Sequence, residues 1–587
     1  MSLLEQASLV ITPNAFKESI LYSVVPADGS GDMDVVRATT ATRVNSEGLI
    51  EVVPRNLFTY SNDFADGSWG KQNCTITPNY ANNPFGVQNA SLIQDSVGTS
   101  TQYRVSKGVT AVNGIFNLSL YVKRLSGTKN AYIDISNQTA YFNFTDEVIV
   151  SGAGIVSFTK LDDGWYRINI SNPTANSFPA IFLGFANVYN ETYTSTGGNQ
   201  MLFYASQLEA SSTATEYFPT TTRLNIPRID YTNGSCPSIL VEPQRTNSLT
   251  YSEQFDNAIW TTNGLNVTVS ANSTTAPDGT LLADKVIPLS TTSKYIFQNT
   301  QVTSGQSYTY SIFAKKGEYD FLQIVMDSTG FAGSTDWFNV DLTNGTFGNQ
   351  IINSITDKSI TSLTNGWYRI TVTKVATSTT SSGRVILSPL NSNYNSRLPS
   401  YTSDETSGIF LWGAQFEAGS YATSYIPTVA SSVTRNADVI SKTGISGLIG
   451  QTEGTLFVDV IPVVNAPADI VALNLSTNNS ISIGMNSTTI RATIFNSGNL
   501  FGITGGDYIK ENRYKIALVY KNNNSKFFVN GVLKNTNISN LVFNGALNDL
   551  FNYSTNYYEG ESALNYNSTQ LYKTALTDQE CINLTTL

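Results

Sequence analysis

The segment Asn56-Leu-Phe-Thr-Tyr-Ser-Asn-Asp-Phe-Ala-Asp-Gly-Ser-Trp69 returns later in the chain as Asn247-Ser-Leu-Thr-Tyr-Ser-Glu-Gln-Phe-Asp-Asn-Ala-Ile-Trp260, with Asn, Thr-Tyr-Ser, Phe and Trp at identical spacing. Three further blocks recur in the same order. Phe116-Asn-Leu-Ser-Leu-Tyr-Val-Lys-Arg124 matches Tyr308-Thr-Tyr-Ser-Ile-Phe-Ala-Lys-Lys316, and Gly164-Trp-Tyr-Arg-Ile168 matches Gly366-Trp-Tyr-Arg-Ile370. Gln207-Leu-Glu-Ala with Tyr217-Phe-Pro-Thr220 matches Gln415-Phe-Glu-Ala with Tyr425-Ile-Pro-Thr428. Four ordered blocks establish an internal duplication. The offset widens along the chain, from 56/247 to 207/415, which places insertions in loops of the second copy.

Each copy reads as strands. Phe116, Leu118, Leu120 and Val122 alternate with Asn117, Ser119, Tyr121 and Lys123, the period of two expected when one strand face meets a core. Tyr308, Tyr310, Ile312 and Ala314 repeat the pattern. The Gly-Trp-Tyr-Arg-Ile blocks follow turn signals at Asp162-Asp163-Gly164 and Thr364-Asn365-Gly366. No long window carries a capped helical period. The expected fold class is all-β, with tandem jelly-roll β-sandwiches and a short N-terminal anchoring segment.

Composition agrees with this class and removes several chemistries. Only 13% of the 587 residues are charged, against about 25% in an ordinary domain. Short polar side chains suit turns and exposed strand faces more than helix interiors. The net charge of −10 leaves no basic footprint for nucleic acid. Histidine is absent, which removes the usual general base and every Ser-His-Asp arrangement. Cys74, Cys236 and Cys581 lie far apart and read as free thiols. There is no Walker motif, no Gly-x-Ser-x-Gly, no EF-hand loop and no compact carboxylate cluster on one strand for glycoside hydrolysis. No cofactor is expected; a structural calcium fits the composition, although no ligand set for it is legible. Neither a signal peptide nor a membrane-length apolar run is visible, so the chain reads as made in a cytoplasm without membrane insertion.

The joints and ends complete the organisation. Thr42-Arg43-Val44-Asn45, Thr222-Arg223-Leu224-Asn225 and Thr434-Arg435-Asn436 flank the sandwiches, and a joint that repeats its Arg and Asn predicts specific hydrogen bonding. The Asn233-Gly234 step in the middle joint predicts a hairpin. Residues 1–55 are too few for a core of their own and are expected to order on something larger, the next domain or an external platform. In the C-terminal unit, Glu453–Val460 alternates cleanly, and Tyr514–Tyr520, Asn522-Asn523-Asn524 and Lys526–Val529 read as a hairpin. Thr577 with Glu580 forms the capping-box spacing of a short terminal helix. The expected division is 1–55 as anchoring segment, 56–220 and 247–429 as the duplicated sandwiches, 221–246 as linker hairpin, and 430–587 as a third sandwich.

These blocks carry a resemblance. The Asn-Leu…Tyr-Ser…Phe…Trp opening and the Gln-(Leu/Phe)-Glu-Ala…Tyr-(Ile/Phe)-Pro-Thr closing resemble the head-spike or head-fibre domains of tailed phages, crAss-like phages among them. The C-terminal unit, through Glu453-Gly-Thr-Leu-Phe457, Phe528-Val-Asn-Gly531 and Leu576-Thr-Asp-Gln-Glu580, is similar to laminin-G or concanavalin-A-like lectin sandwiches. The resemblance implies a non-enzymatic fibre or spike exposed on the virion, anchored to capsid or other virion proteins through its N-terminal segment. It implies homo-oligomers, trimers above all, and adhesion to host-surface or mucus glycans. A tail-fibre receptor-binding protein and a bacterial glycan-active enzyme with accessory modules are the alternatives. The tryptophans Trp69, Trp165, Trp260 and Trp367 recur at fixed places and are expected in the core. Gln207, Glu209, Gln415 and Glu417 are expected to define the fold by hydrogen bonding. The glycan contacts are expected in a unique loop, at Tyr553, Asn556, Tyr557 and Tyr558.

Overall fold

The structure, a computed structural model, describes residues 2–53, 56–108, 116–135, 138–151, 155–172, 180–187, 191–209, 214–261, 266–289, 294–331, 336–464, 468–474, 479–486, 488–496, 499–543, 545–552 and 563–587. It is all-β, with antiparallel sheets throughout the described residues.

The first repeat is a sandwich of two six-stranded sheets. One sheet runs Ile155–Lys160, Tyr166–Asn172, Phe116–Ser126, Gln200–Glu209, Gln88–Asp95 and Cys74–Asn82. The other runs Val148–Ser151, Gln138–Asn143, Ala131–Ile135, Ala180–Phe185, Arg104–Gly108 and Trp69–Gln72. The second repeat reproduces the first sheet strand for strand: Ile355–Ser362, Trp367–Val375, Ser307–Lys316, Ile409–Ala418, Ala283–Pro288 and Val267–Thr274. Its partner sheet has five strands, and a single bridge between Thr261 and Phe297 stands where the first repeat has a sixth. The alternating residues Phe116, Leu118, Leu120 and Val122 enter one core, and Tyr308, Tyr310, Ile312 and Ala314 enter the other.

The motif residues explain the repeat. Asn56 Nδ2 donates to the carbonyls of Ser206 and Phe218, and its Oδ1 accepts from the amides of Phe58 and Leu208. Asn247 makes the same four bonds, to Ala414, Ile426, Leu249 and Phe416. One side chain thus pins the opening segment to the closing strand with every polar atom used. The indole N–H of Trp69 donates to the Tyr60 carbonyl at 2.9 Å, and that of Trp260 to the Tyr251 carbonyl at 3.0 Å. Both tyrosines sit at φ 49°, a left-handed conformation that costs an L-residue about 1–2 kcal/mol. The indole bond holds the carbonyl that this conformation turns inward.

Sixteen strands form a single sheet around the C-terminal core. One arm contains Asn499–Asp507, Thr489–Asn496, Asn479–Met485, Ala468–Leu473, Leu550–Asn552 and Val439–Lys442. The other contains Leu564–Tyr572, Glu453–Pro462, Tyr514–Lys521, Ser525–Val529 and Val532–Asn537. The arms face each other across Ile470, Ile481, Ile494, Leu456, Leu518 and Tyr566, among others. Inside this core the Asn552 amide donates to Thr569 Oγ1 at 2.9 Å, from one arm to the other. Helix Asp578–Thr585 carries the expected capping box, with Thr577 Oγ1 accepting from the Glu580 amide and Glu580 from that of Thr577.

Residues 1–55 are expected from the sequence to order on the next domain or an external platform; residues 9–36 instead pair with the C-terminal sheet of the same chain. Leu9–Lys17 pairs with Leu564–Tyr572, placing Leu9 opposite Leu571. Ile20–Val25 pairs next to it, and Met33–Val36 joins Val439–Lys442, with Asp34 opposite Ser441. These three strands bridge the two arms and cover edges that would otherwise offer unpaired backbone. The middle joint forms its hairpin, Arg228–Asp230 with Ser238–Val241, and the latter strand also pairs with Leu564–Tyr572.

Of the repeated joint arginines, Arg435 enters a buried ionic cluster, where it meets Arg37 and Arg228, while Arg43 pairs with Glu51 instead. Arg37 Nη1 lies 2.8 Å from Asp438 Oδ1, Arg228 contacts Asp438 and Glu242, and Arg435 Nη1 lies 2.8 Å from Glu242 Oε2. Ser424 donates to Glu242 from both its amide and its hydroxyl. All five charged side chains are at most 5% exposed. Burial raises both carboxyls, but the surrounding guanidiniums overcome it and hold Glu242 and Asp438 below the ordinary range. Their contribution is therefore present above the unfolded carboxylate pKa and is lost only as pH falls through the depressed folded values. Asp438→Ala removes the carboxylate facing Arg37 and one of the two facing Arg228, and should cost about 3–5 kcal/mol in denaturant unfolding at neutral pH. A loss no larger than that of an exposed ion pair, about 1 kcal/mol or less, would contradict the assignment.

Candidate functional site

The repeated tryptophans and carboxamides are framework. Trp69, Trp165 and Trp367 are 1% exposed and Trp260 is 3% exposed. Gln207 Nε2 donates to the Glu216 carbonyl while its Oε1 accepts from the Phe218 amide; Gln415 does the same with Ser424 and Ile426. Glu209 and Glu417 each accept the amide and hydroxyl of the threonine that starts the closing turn, Thr215 and Thr423. Arg167 and Arg369 donate to those same threonines' carbonyls at 2.6 Å. The spacing of the closing motif is set by these bonds, and no surface is left on them for a ligand.

Tyr553, Asn556, Tyr557 and Tyr558 lie outside the described residues. The strand Leu550–Asn552 immediately before them belongs to the arm whose outward face carries the most distinctive polar arrangement of the C-terminal sandwich. There the alternation puts Ile481, Ile483, Ala492 and Ile494 into the core and turns Ser482, Gly484, Arg491 and Thr493 outward. A bulge between Asp469 and Val471 sends both Ile470 and Val471 inward and leaves Asp469 on the outer face.

Two cross-strand rows result. One reads Ser441, Phe551, Ala472, Ser482, Thr493 and Gly502; the other reads Asp469, Gly484, Arg491 and Thr504. Arg491 ties the rows together, donating to Thr493 Oγ1 at 2.8 Å and to Asp469 Oδ1 at 3.3 Å. Burial raises the Asp469 carboxyl pKa against the opposing pull of Arg491 and Ser482. Asp469, Ser482 and Thr493 are 7–8% exposed, so the surface this face offers comes from the Arg491 side chain, 23% exposed, and from the exposed Gly502 and Thr504. Phe551 beside them is half-buried.

A carboxylate acceptor, a guanidinium donor, small hydroxyls and glycines beside an aromatic ring suit a ligand dense in hydroxyl groups. The sequence reading missed Asp469, Ser482, Arg491 and Thr493. The signal available was a strand alternation in which the outward positions are Ser, Ser and Gly, then Arg and Thr, on consecutive strands. Among the described residues no group of three or more Cys, Asp and Glu side chains is arranged to hold a metal ion.

No protein-family model matches the chain, and no curated protein matches it. Solved structures with local similarity include the binding domain of botulinum neurotoxin serotype G, at 12% identity over 25% of this chain and 39% of that one, TM-score 0.22. The binding domain of Paraclostridial Mosquitocidal Protein 1 matches at 10% identity over 25% and 43%, TM-score 0.21. The binding domain of botulinum neurotoxin DC in complex with rat synaptotagmin II matches at 15% identity over 25% and 40%, TM-score 0.23. The match spans about two fifths of each of these chains, too slight to carry a functional argument.

The division between framework and face is testable. Trp69→Ala and Trp367→Ala should each lower stability by about 3–5 kcal/mol, the range for emptying a buried indole site. Thr504→Ala, exposed on the same outer face, should change unfolding by about 1 kcal/mol or less. Equal losses at all three positions in denaturant titration would refute the division.

Proposed function

We propose that this chain is a non-catalytic adhesive fibre or spike exposed on a phage particle, in which the duplicated sandwiches serve as stiff framework and the C-terminal sandwich binds glycans. The observation that carries the binding role is the Asp469–Ser482–Arg491–Thr493 face beside Phe551, whose donors and acceptors are fixed on adjacent strands. Preorganised polar groups on a rigid sheet lose little freedom when a sugar docks. Weak single sites would gain strength from many copies on one particle. The virion setting rests on the motif resemblance of the repeats, and the N-terminal segment is proposed as the place of attachment to other virion proteins.

The test for binding uses the full chain on an array of host-surface and mucus glycans. Asp469→Ala and Arg491→Ala should each weaken the strongest response by about tenfold, roughly the 1.4 kcal/mol of one lost charged hydrogen bond. Undiminished binding in both variants moves the site elsewhere, and no response to any glycan overturns the glycan reading. Gold-labelled antibody on intact particles addresses the setting: label on heads is expected, label confined to tails supports a tail-fibre protein, and no label overturns both.

A further inference from the structure

A hairpin introduces each sandwich of the duplication: Ala41–Val44 with Ile50–Val53 before the first, and Arg228–Asp230 with Ser238–Val241 before the second. The two are versions of one unit. Arg43-Val-Asn45 corresponds to Arg228-Ile-Asp230, and Glu51 to Glu242, each glutamate five residues before the opening asparagine of its sandwich, Asn56 or Asn247. Both pair their ends alike, Arg43 with Glu51 at 2.8 Å and Arg228 with Glu242 at 2.7 Å. Ile50 of the first hairpin therefore corresponds to Val241 of the second.

Each hairpin delivers this aliphatic side chain to the domain that follows the one it introduces. Val241 enters the core of the C-terminal sandwich, on a strand paired with Leu564–Tyr572. Ile50 goes to the second sandwich, where it clusters with Phe313, Trp367, Trp412 and Tyr425. Its amide donates to the Pro277 carbonyl at 3.0 Å, and Thr42 Oγ1 donates to the Tyr425 carbonyl at 2.5 Å. Leu49 lies 3.2 Å from where a Cβ on Gly279 would be.

The matching slot of the first sandwich is filled from within. Its floor is the same: Tyr121 stands opposite Tyr204 just past a bulge, as Phe313 stands opposite Trp412, and Trp165 and Tyr217 repeat Trp367 and Tyr425. The turn beside it, Asn83-Pro84-Phe85-Gly86, aligns with Ala276-Pro277-Asp278-Gly279, the two glycines at φ 87° and 85°. Phe85 lies over the floor, its ring centre 5.8 Å from that of Tyr121 and 6.3 Å from that of Tyr204. Those two rings are the counterparts of Phe313 and Trp412, with which Ile50 clusters. Phe85 is nevertheless 62% exposed, so it closes the slot at the surface and is not part of a core. The described apolar cluster of this floor draws only on residues of its own sandwich.

We propose that the Tyr121–Tyr204 face of the first sandwich is a docking site for the first hairpin of a second copy of this chain, and that Phe85 is the cap that closes it. The occupant is named by the twin slot, in which this hairpin is already seated. The first slot retains both residues whose carbonyls the hairpin uses, as Pro84 and Tyr217. A hairpin of one copy in the first sandwich of the next is a head-to-tail contact, which runs on into filaments unless the rotation closes. Repeated units stay discrete when their terminal unit is capped. Phe85 supplies such a cap and leaves the aromatic floor beneath it intact. This device does not depend on what the C-terminal sandwich binds.

Hydrogen exchange and sedimentation of the full chain test it. Asp278→Phe copies the cap into the second sandwich, so protection of the Ile50 amide should fall by about tenfold or more while the Ser311 amide, inside the sheet, keeps its own. Asp278→Ala leaves that slot open and should hold Ile50 as the wild type does. Adding Phe85→Asp to Asp278→Phe frees the hairpin and opens the first slot together. Ile50 protection should then return as concentration rises, and the chain should sediment as species larger than the wild type. Phe85→Asp alone should sediment as the wild type does, because a hairpin tethered beside its own open slot outcompetes one from solution. If Ser311 also loses protection in Asp278→Phe, the smaller cap Asp278→Leu is read in its place. Undiminished Ile50 protection behind the copied cap overturns the proposal, as does a double variant that neither regains protection nor associates. Protection regained without association overturns the second copy as the occupant.

Discussion

Asp438 is the residue on which separate parts of this chain converge. It receives Arg37 from the N-terminal segment and Arg228 from the middle joint; its carboxylate also accepts the Glu242 amide, and its own amide donates to the Glu242 carbonyl. Glu242 in turn takes Arg435 and the Ser424 turn that closes the second sandwich. A buried ionic cluster is weak evidence for net stability, because desolvation offsets much of the attraction. Its geometric effect is sharper. A guanidinium offers its donors in a rigid fork, and with both carboxylates inside the protein few arrangements leave every charge paired. Three sequence-distant stretches, at residue 37, at 228–242 and at 424–438, are thereby held in one mutual placement, which flexible linkers would not achieve.

The duplicated sandwich applies the same logic with neutral groups. Asn56 and Asn247 are short side chains with two donors and two acceptor sites, and each stitches the opening segment to the closing strand. The Trp indole, the Gln carboxamide and the Glu carboxylate secure the remaining turns. Each recurring polar residue answers a backbone group that would otherwise be buried without a partner. Recurrence therefore marks construction, and sites of recognition are better sought where the copies diverge or where no copy exists.

Much of the fold was legible in the sequence because its signals are local or repeated. Alternation at Phe116–Val122, the Asn-Gly hairpin of the joint and the Thr577–Glu580 cap each depend on residues a few positions apart. The repeated tryptophans were placed in the core by the argument that a fixed position in two copies is structural, and their exposures of 1–3% agree. What escaped was non-local. Pairing of Leu9–Lys17 with Leu564–Tyr572 leaves no trace in either strand, since both read as ordinary half-buried strands. The Asp469–Arg491 pair is built by register across two intervening strand turns and a bulge, and register is fixed by the whole sheet.

The strand at residues 9–17 also sets an order of events during synthesis. It leaves the ribosome more than five hundred residues before the strand at 564–572 that it pairs with, as the separation of 563 between Ser8 and Leu571 shows. Both duplicated sandwiches have all their strands available in that interval, while the N-terminal strands have no finished sheet to join. Long-range strand pairing is slow, and unpaired edges are prone to aggregate while they wait. Proline at position 13 and Lys17 on the waiting strand, with Pro26 just beyond its neighbour, are residues that discourage edge-to-edge association. A ribosome that stops short of residue 564 would release two closed sandwiches and a third that has no means of closing.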